Sequence, residues 1–194
     1  MARKAVLISS YIETHERGEY VLERLLQIPM IYADVQDIDF YIVDDGSPID
    51  ILGNPIITNF FRIVKRRSYG GFAKSRNTCL RIFMESDYSY CFLLDDGVMH
   101  RSKFGFDAYV EAMVRTGIPH FSAAKKGFND SISYINFNGY RVVETAYLHD
   151  YAMTFTRPLI EKLGYFKVLP YKYGDAHTNY VLRAIQNELQ HKFY

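Results

Sequence analysis

Residues 90–97, YCFLLDDG, decide how this chain reads: an apolar run of strand length ends abruptly in Asp95, Asp96 and Gly97. The same shape recurs toward the N-terminus. AVLISSY (5–11), DFYIV (39–43) and FRIV (61–64) each stop just before a polar or glycine-bearing stretch. Helical spacing fills the intervals. After Thr14, which suits an N-cap, Val21, Leu22, Leu25 and Leu26 fall on one face; after Gly71, Phe72, Cys79, Leu80 and Phe83 do the same. Strands alternating with helices predict an α/β fold whose sheet is mostly parallel.

Downstream, Phe106, Tyr109, Val110, Met113 and Val114 keep spacings of three and four, predicting a helix over about 103–116. From 118 to 156 the sequence changes to short aromatic and β-branched pieces, SISYINF, YRVVETAYL and YAMTFT, with a turn signal at Asn138-Gly139. A more antiparallel portion is expected there. Helices at roughly 158–163 and 176–190 close the chain. With 194 residues, 48% of them apolar, and no repeat or linker, the whole of 1–194 reads as a single domain.

Composition removes several function classes. Lys plus Arg (23) balances Asp plus Glu (22), so no global charge calls for nucleic acid or a membrane surface. Cys79 and Cys91 lie inside apolar segments, which suits buried thiols better than a disulfide framework or a metal cluster. The start, MARKAVLISSY, has too short an apolar run for a signal peptide or a membrane span. A cytoplasmic location is the expectation.

In open sheets of this kind ligands bind beyond the carboxyl ends of the strands, where loops and helix N-termini converge. The first strand ends in Ser9, Ser10 and Tyr11. The second ends in Asp44, Asp45 and Gly46, where a carboxylate either meets a base or ribose or closes an Asx-type turn. After the third come Gly70 and Gly71, then Lys74 and Arg76 near a helix start, suited to a diphosphate. A solvated basic face, or a nucleic-acid patch of Arg62, Lys65, Arg66 and Arg67, is the alternative. Adjacent carboxylates at Asp95 and Asp96 call for pairing, solvent or a hard cation such as Mg²⁺ or Mn²⁺.

In order, VLISSY, YIVDDGSPID, YGGFAKSRN, FLLDDGV, MTFTRPLIEKLGYF and GDAHTNYVLR resemble the signature of the family 2 glycosyltransferases over nearly the whole chain. The resemblance implies a GT-A fold: a Rossmann-like αβα sandwich that binds a nucleoside-diphosphate sugar, usually with a divalent metal, in about residues 1–100. Residues 101–194 would form the acceptor side. Carried over by position, Ser10 and Tyr11 line the base pocket, Asp45 with Asp44 recognises a uracil-type base or ribose, and Gly71, Lys74, Arg76 and Asp95 complete the donor site. Asp96 is the implied metal ligand of the DXD element, with His177 as a second ligand or else plain polar surface.

The chain departs from that pattern. Tyr69 and Ile12 stand where the family has Asn, Gly97 replaces the last DXD carboxylate, and Ala176 replaces the acid before His177. The base that deprotonates the acceptor hydroxyl then falls to Asp175, Asp150 or His177, with helix capping as the other role for Asp175. The reading implied is an inverting, metal-assisted transferase using a UDP-sugar by default, on a glycan, protein, lipid or nucleobase acceptor. A degenerate nucleotide-sugar-binding domain without catalysis, or a nucleic-acid-contacting protein, is the alternative.

Overall fold

The structure is a computed structural model and describes residues 2–100, 105–123, 131–137, 140–146, 148–169 and 175–194. Among the described residues there are eight strands: β1 (Lys4–Ser10), β2 (Ile38–Asp44), β3 (Arg62–Lys65), β4 (Tyr90–Asp95), β5 (His120–Ser122), β6 (Ser131–Phe137), β7 (Tyr140–Thr145) and β8 (Ala152–Thr156). Six of them form one sheet in the order β3-β2-β1-β4-β8-β5. Strands β1 to β4 run parallel, whereas β8 is antiparallel to β4, and β5 to β8. β6 and β7 make a separate antiparallel pair with Phe137 opposite Tyr140. The Asn138-Gly139 turn expected between them lies outside the described residues.

Both faces of the sheet are covered, which follows from strands that are apolar on both sides. Along β1, Ala5 and Leu7 point to one core and Val6 and Ile8 to the other, all at 1% exposure or less. Helices α1 (His15–Tyr32), α2 (Pro55–Phe60) and α4 (Gly105–Thr116) contribute Val21, Leu25, Ile28, Ile57 and Phe106 to the second core. Helices α3 (Phe72–Met84), α5 (Arg157–Leu163) and α6 (Asp175–Gln186) contribute Cys79, Leu80, Phe83, Ile160, Tyr180 and Ala184 to the first. Each such aliphatic or aromatic side chain stabilises the fold by roughly 1.5–3 kcal/mol. This is the expected αβα sandwich.

Thr14 caps α1 as its sequence position predicts, accepting from the backbone N–H of Arg17. Three features differ from the sequence reading. The six residues of α2 are too few to show a helical period; Asn54 caps them by accepting from Ile56 N at 2.9 Å, with Pro55 at the first position. YAMTFT does not join a separate antiparallel layer but enters the main sheet as β8, so the two halves of the chain share one sheet. The last helix ends at Gln186, short of 190, because Glu188 turns left-handed (φ 57°) and Leu189 N–H bonds back to Ala184 O.

Strand order reverses where β1 meets β4, so the crevice between their carboxyl ends is the place for a ligand. Among the described residues, no helix is long and apolar enough to cross a membrane.

Candidate active site

A cleft of about 460 Å³ opens at that switch point. Its walls bring together Ser10 and Tyr11 after β1, Asp45 after β2, Gly71 at the start of α3, Asp95 and Asp96 after β4, and Asp150 before β8. Seven of the residues singled out in the sequence therefore converge. Asp44, Lys74, Arg76, Asp175 and His177 are not on its walls, and each has a different reason.

Asp44 is buried and accepts from Ser47 N at 2.9 Å, which is the turn-closing role of an Asx motif. Lys74 is exposed on α3, outside the cleft. Arg76 is fully buried beneath the site: it donates to Leu94 O at 2.7 Å, to Asp150 O at 3.3 Å and to the Asp95 carboxylate. Its expected hold on the nucleotide is replaced by a bracing role, tying the tips of β4 and β8 together under Asp95. Asp175 is an exposed first-turn residue of α6 and does not line the cleft.

Asp45 lines the cleft but is already committed. Its carboxylate accepts from Gly71 N at 2.9 Å, from Gly70 N at 3.1 Å and from Arg66. Burial raises its pKa, while the Gly70 N–H, Arg66 and the Gly71 N–H pull it down. The residue pins the glycine loop that delivers α3. Gly46, at φ +80°, lets that loop close over it; a Cβ there would lie 2.5 Å from the carbonyl carbon of Ser68.

The opening of α3 is built to receive an anion. Gly71, also at φ +80°, is its N-cap and offers no capping side chain, so the first-turn N–H groups stay without a helix partner. Ser75, among the residues that line the cleft, lies one turn further along the helix, 3% exposed, and its buried hydroxyl has no hydrogen-bond partner. A buried, unpaired hydroxyl beside a helix N-terminus is costly unless a ligand completes it. At the rim, Tyr11 and Tyr69 pack ring to ring, centroids 4.3 Å apart.

Asp96 is held from two sides. Ser10 Oγ donates to Oδ2 at 2.7 Å, and the Arg17 guanidinium, from the first turn of α1, pairs with Oδ1. Burial raises its pKa despite both contacts. Gly97 brings no third carboxylate here, and a Cβ at that position would be in ordinary contact with Tyr20 Cε1 at 3.4 Å and Arg17 Nη1 at 3.8 Å. Among the described residues, no group of three His, Cys, Asp or Glu side chains is placed to hold a metal ion. In this arrangement the residues do not fit a divalent cation.

His177 is fully buried and points both ring nitrogens away from the role of metal ligand. Its Nδ1 lies 3.0 Å from Asp150 Oδ1 and its Nε2 lies 2.9 Å from His120 Nε2, while His120 Nδ1 lies 2.7 Å from Thr154 O. Thr154 O only accepts, so His120 carries its proton on Nδ1; burial holds that ring far below its ordinary pKa, hence neutral. His177 must then donate from Nε2. One proton is left to share between His177 Nδ1 and Asp150 Oδ1. His120, Arg17 and Ser75 had not been singled out in the sequence. Arg17 was legible from its place one turn after Thr14, at the strand-end side of α1, but nothing in the sequence joins His120 to His177.

The expected basic patch is mostly neutralised: Arg62 faces Asp39, Lys65 faces Asp50 and Arg66 faces Asp45. Cys79 and Cys91 are free and buried, as expected.

No protein-family model matches this chain. An uncharacterised glycosyltransferase of Acanthamoeba polyphaga mimivirus is 30% identical over 179 residues, covering 89% of this chain and 68% of the relative. Among solved structures, a mannosyltransferase of Pyrobaculum calidifontis in complex with GDP-Man and Mn²⁺ matches with a TM-score of 0.64 at 17% identity, over 86% of this chain and 48% of its own. S. aureus TarS 1–349 in complex with UDP-GlcNAc matches with a TM-score of 0.58 at 13% identity, over 85% of this chain and 48% of its own. The chain thus spans 48% of the length of each of these two solved structures. The shared sheet establishes the GT-A type of fold, and the likeness in sequence, running through most of both chains, makes this protein a member of the glycosyltransferases.

Proposed function

We propose that the cleft binds a nucleoside-diphosphate sugar and transfers the sugar to an acceptor hydroxyl, with Asp150 as the base. The observation that carries this is the opposition of two chemistries in one cleft: an anion-receptive helix start with the unpartnered Ser75 hydroxyl, and the Asp150 carboxylate. The GDP-mannose and UDP-GlcNAc bound by the two structural neighbours agree with a diphosphate donor.

The diphosphate lies at the first turn of α3, where the free N–H groups and Ser75 hydrogen-bond its oxygens, and Tyr11 with Tyr69 offers an aromatic rim for the base. Transfer breaks the bond between the anomeric carbon and the terminal phosphate oxygen; the electron pair leaves with the nucleoside diphosphate. The acceptor oxygen forms the new bond and its proton passes to Asp150. The hydroxyl becomes strongly acidic as it bonds to carbon, so the Asp150 carboxylate takes its proton in the state in which the shared proton sits on His177 Nδ1. Asp150 is oriented through Oδ1 by His177, and its side chain is 28% exposed. Attack opposite the leaving phosphate with a single base inverts the anomeric centre. No step is assigned to a metal, since the carboxylates expected to hold one are engaged by Arg17, Ser10 and Arg76.

Purified protein incubated with a panel of UDP- and GDP-sugars should release nucleoside diphosphate from one of them, slowly with water as acceptor. Asp150→Asn should suppress release without loss of donor binding. Binding of a nucleotide sugar with no turnover of any donor, in the presence of a broad acceptor panel, would instead favour the degenerate binding domain.

A further inference from the structure

We propose that Arg17 stands in for the divalent cation at this site, so that donor binding is independent of metal and the guanidinium meets the diphosphate directly. This rests on the donor-cleft reading above and concerns how that cleft handles negative charge.

A nucleoside diphosphate needs a positive counterpart on the side of the cleft away from the α3 N-terminus, where the leaving oxygen gathers charge. Among the described residues that line the cleft, the side chain that supplies positive charge is Arg17. It lines the cleft, is 40% exposed, and is steadied by the Asp96 carboxylate and by the Tyr20 ring, whose centroid lies 5.3 Å from its guanidinium carbon. Guanidinium carries five N–H donors and stays charged throughout the accessible pH range, so the contact with Asp96 leaves donors for phosphate.

Three independent features bar a cation from the same place. Both Asp96 oxygens are in use, by Ser10 and by Arg17. Gly97 supplies no further carboxylate at the place where one would reach in, and Tyr20 and Arg17 lie against it. The histidine nearest in the sequence to a ligand role, His177, spends both nitrogens on Asp150 and His120. Gly97 and Arg17 thus read as one exchange: a carboxylate that would draw in a cation is absent, and a fixed cation fills the room.

The test is calorimetric titration of UDP and GDP into the full chain, in EDTA and in Mn²⁺, for wild type, Arg17→Gln and Arg17→Lys. The wild type should bind one nucleotide with affinities within about twofold in the two conditions. Arg17→Gln should weaken that binding by about tenfold or more, the usual worth of a charged hydrogen bond, with Arg17→Lys recovering part of it. Arg17→Gln leaves the buried Asp96 carboxylate without its ion-pair partner and should lower the melting temperature, whereas Arg17→Lys keeps the charge, so binding is compared well below the melting point of each variant. Binding lost in EDTA and restored by Mn²⁺ would overturn the inference while leaving the donor cleft intact, as would an Arg17→Gln protein that binds like wild type. No binding of either nucleotide in any arm would overturn the donor-cleft reading and this inference together.

Discussion

Asp150 Oδ1 and His177 Nδ1 face each other at 3.0 Å, at the cleft end of a chain of contacts that runs through His120 to the carbonyl of Thr154. Each contact in that chain needs one proton, and the donors are fixed from the buried end outward. Replacing Asp150 by Asn supplies the last proton from the amide, so the chain stays complete and the fold should be unchanged. What is lost is the basic oxygen. We expect Asp150→Asn to lower transfer by about 10²- to 10⁴-fold, with donor affinity within twofold of wild type by calorimetry. A variant with more than about a tenth of wild-type activity would return the base to Asp175.

His120 tests the other end of the chain. The ring stacks on Phe155, centroids 4.5 Å apart and 10° from parallel, so Phe fits the space in His120→Phe. The new ring can neither donate to Thr154 O nor accept from His177 Nε2, and two buried polar groups lose their partner. The expected cost is about 2 kcal/mol or more, read as a lowered denaturant midpoint. A structural role alone would end there. A positioning role predicts in addition that kcat falls while donor affinity holds, because His177 no longer presents a fixed nitrogen to Asp150.

Much of this site was legible in the sequence because strand tips carry their chemistry locally: Ser10, Asp45, Asp95 and Asp96 follow apolar runs directly, and a parallel sheet gathers such tips on one edge. What was not legible is the partner each one takes. Arg76 follows the glycine loop closely in sequence but is drawn under the sheet edge by Leu94 O and Asp95, and Arg17 crosses from α1 to Asp96. Those pairings depend on the distance between elements, not on spacing along the chain. The His120–His177 contact spans 57 residues and two elements, so no local pattern announces it.

Acid should destabilise the protein in a defined window. Burial lowers the pKa of His120, of His177, where the Asp150 carboxylate opposes it, and of His100, which is pushed down to about 4. Above the unfolded value of about 6.5 His120 and His100 are neutral in both states and contribute nothing to the slope, while the proton between His177 and Asp150 belongs to the pair. Below it the unfolded chain takes up protons that the native state refuses, so stability falls with pH down to the folded pKa of each group. Asp45 and Asp96, whose pKa values burial raises, act in the opposite sense, but only once pH nears the carboxylate range. We expect the melting temperature to drop by about 5 °C or more between pH 7 and pH 5, with proton uptake on unfolding. A flat profile across that interval would show that the histidines titrate normally in the fold.

Arg76 separates a ligand-holding residue from a brace. A residue that only contacts the nucleotide can be removed with little effect on stability and a large effect on affinity. Arg76 is fully buried and spends its guanidinium on Leu94 O, Asp150 O and Asp95, so its removal strips partners from two backbone carbonyls. In Arg76→Met the stem is kept about as far as the Nε position, and the guanidinium, whose carbon lies 5.2 Å from the centroid of the Phe72 ring, is removed. Asp95, whose side chain is 44% exposed, can turn to water. The loss therefore falls on the two carbonyls and on the registration of the β4 and β8 tips, where a buried group left without its partner costs about 1–3 kcal/mol. The Nε–H of Arg76, which has no partner, offsets a part of it. Thermal denaturation should show a fall of about 6 °C or more, and the lost donor affinity should recover as the variant is assayed further below its melting point. Unchanged stability with abolished binding would place Arg76 on the nucleotide after all.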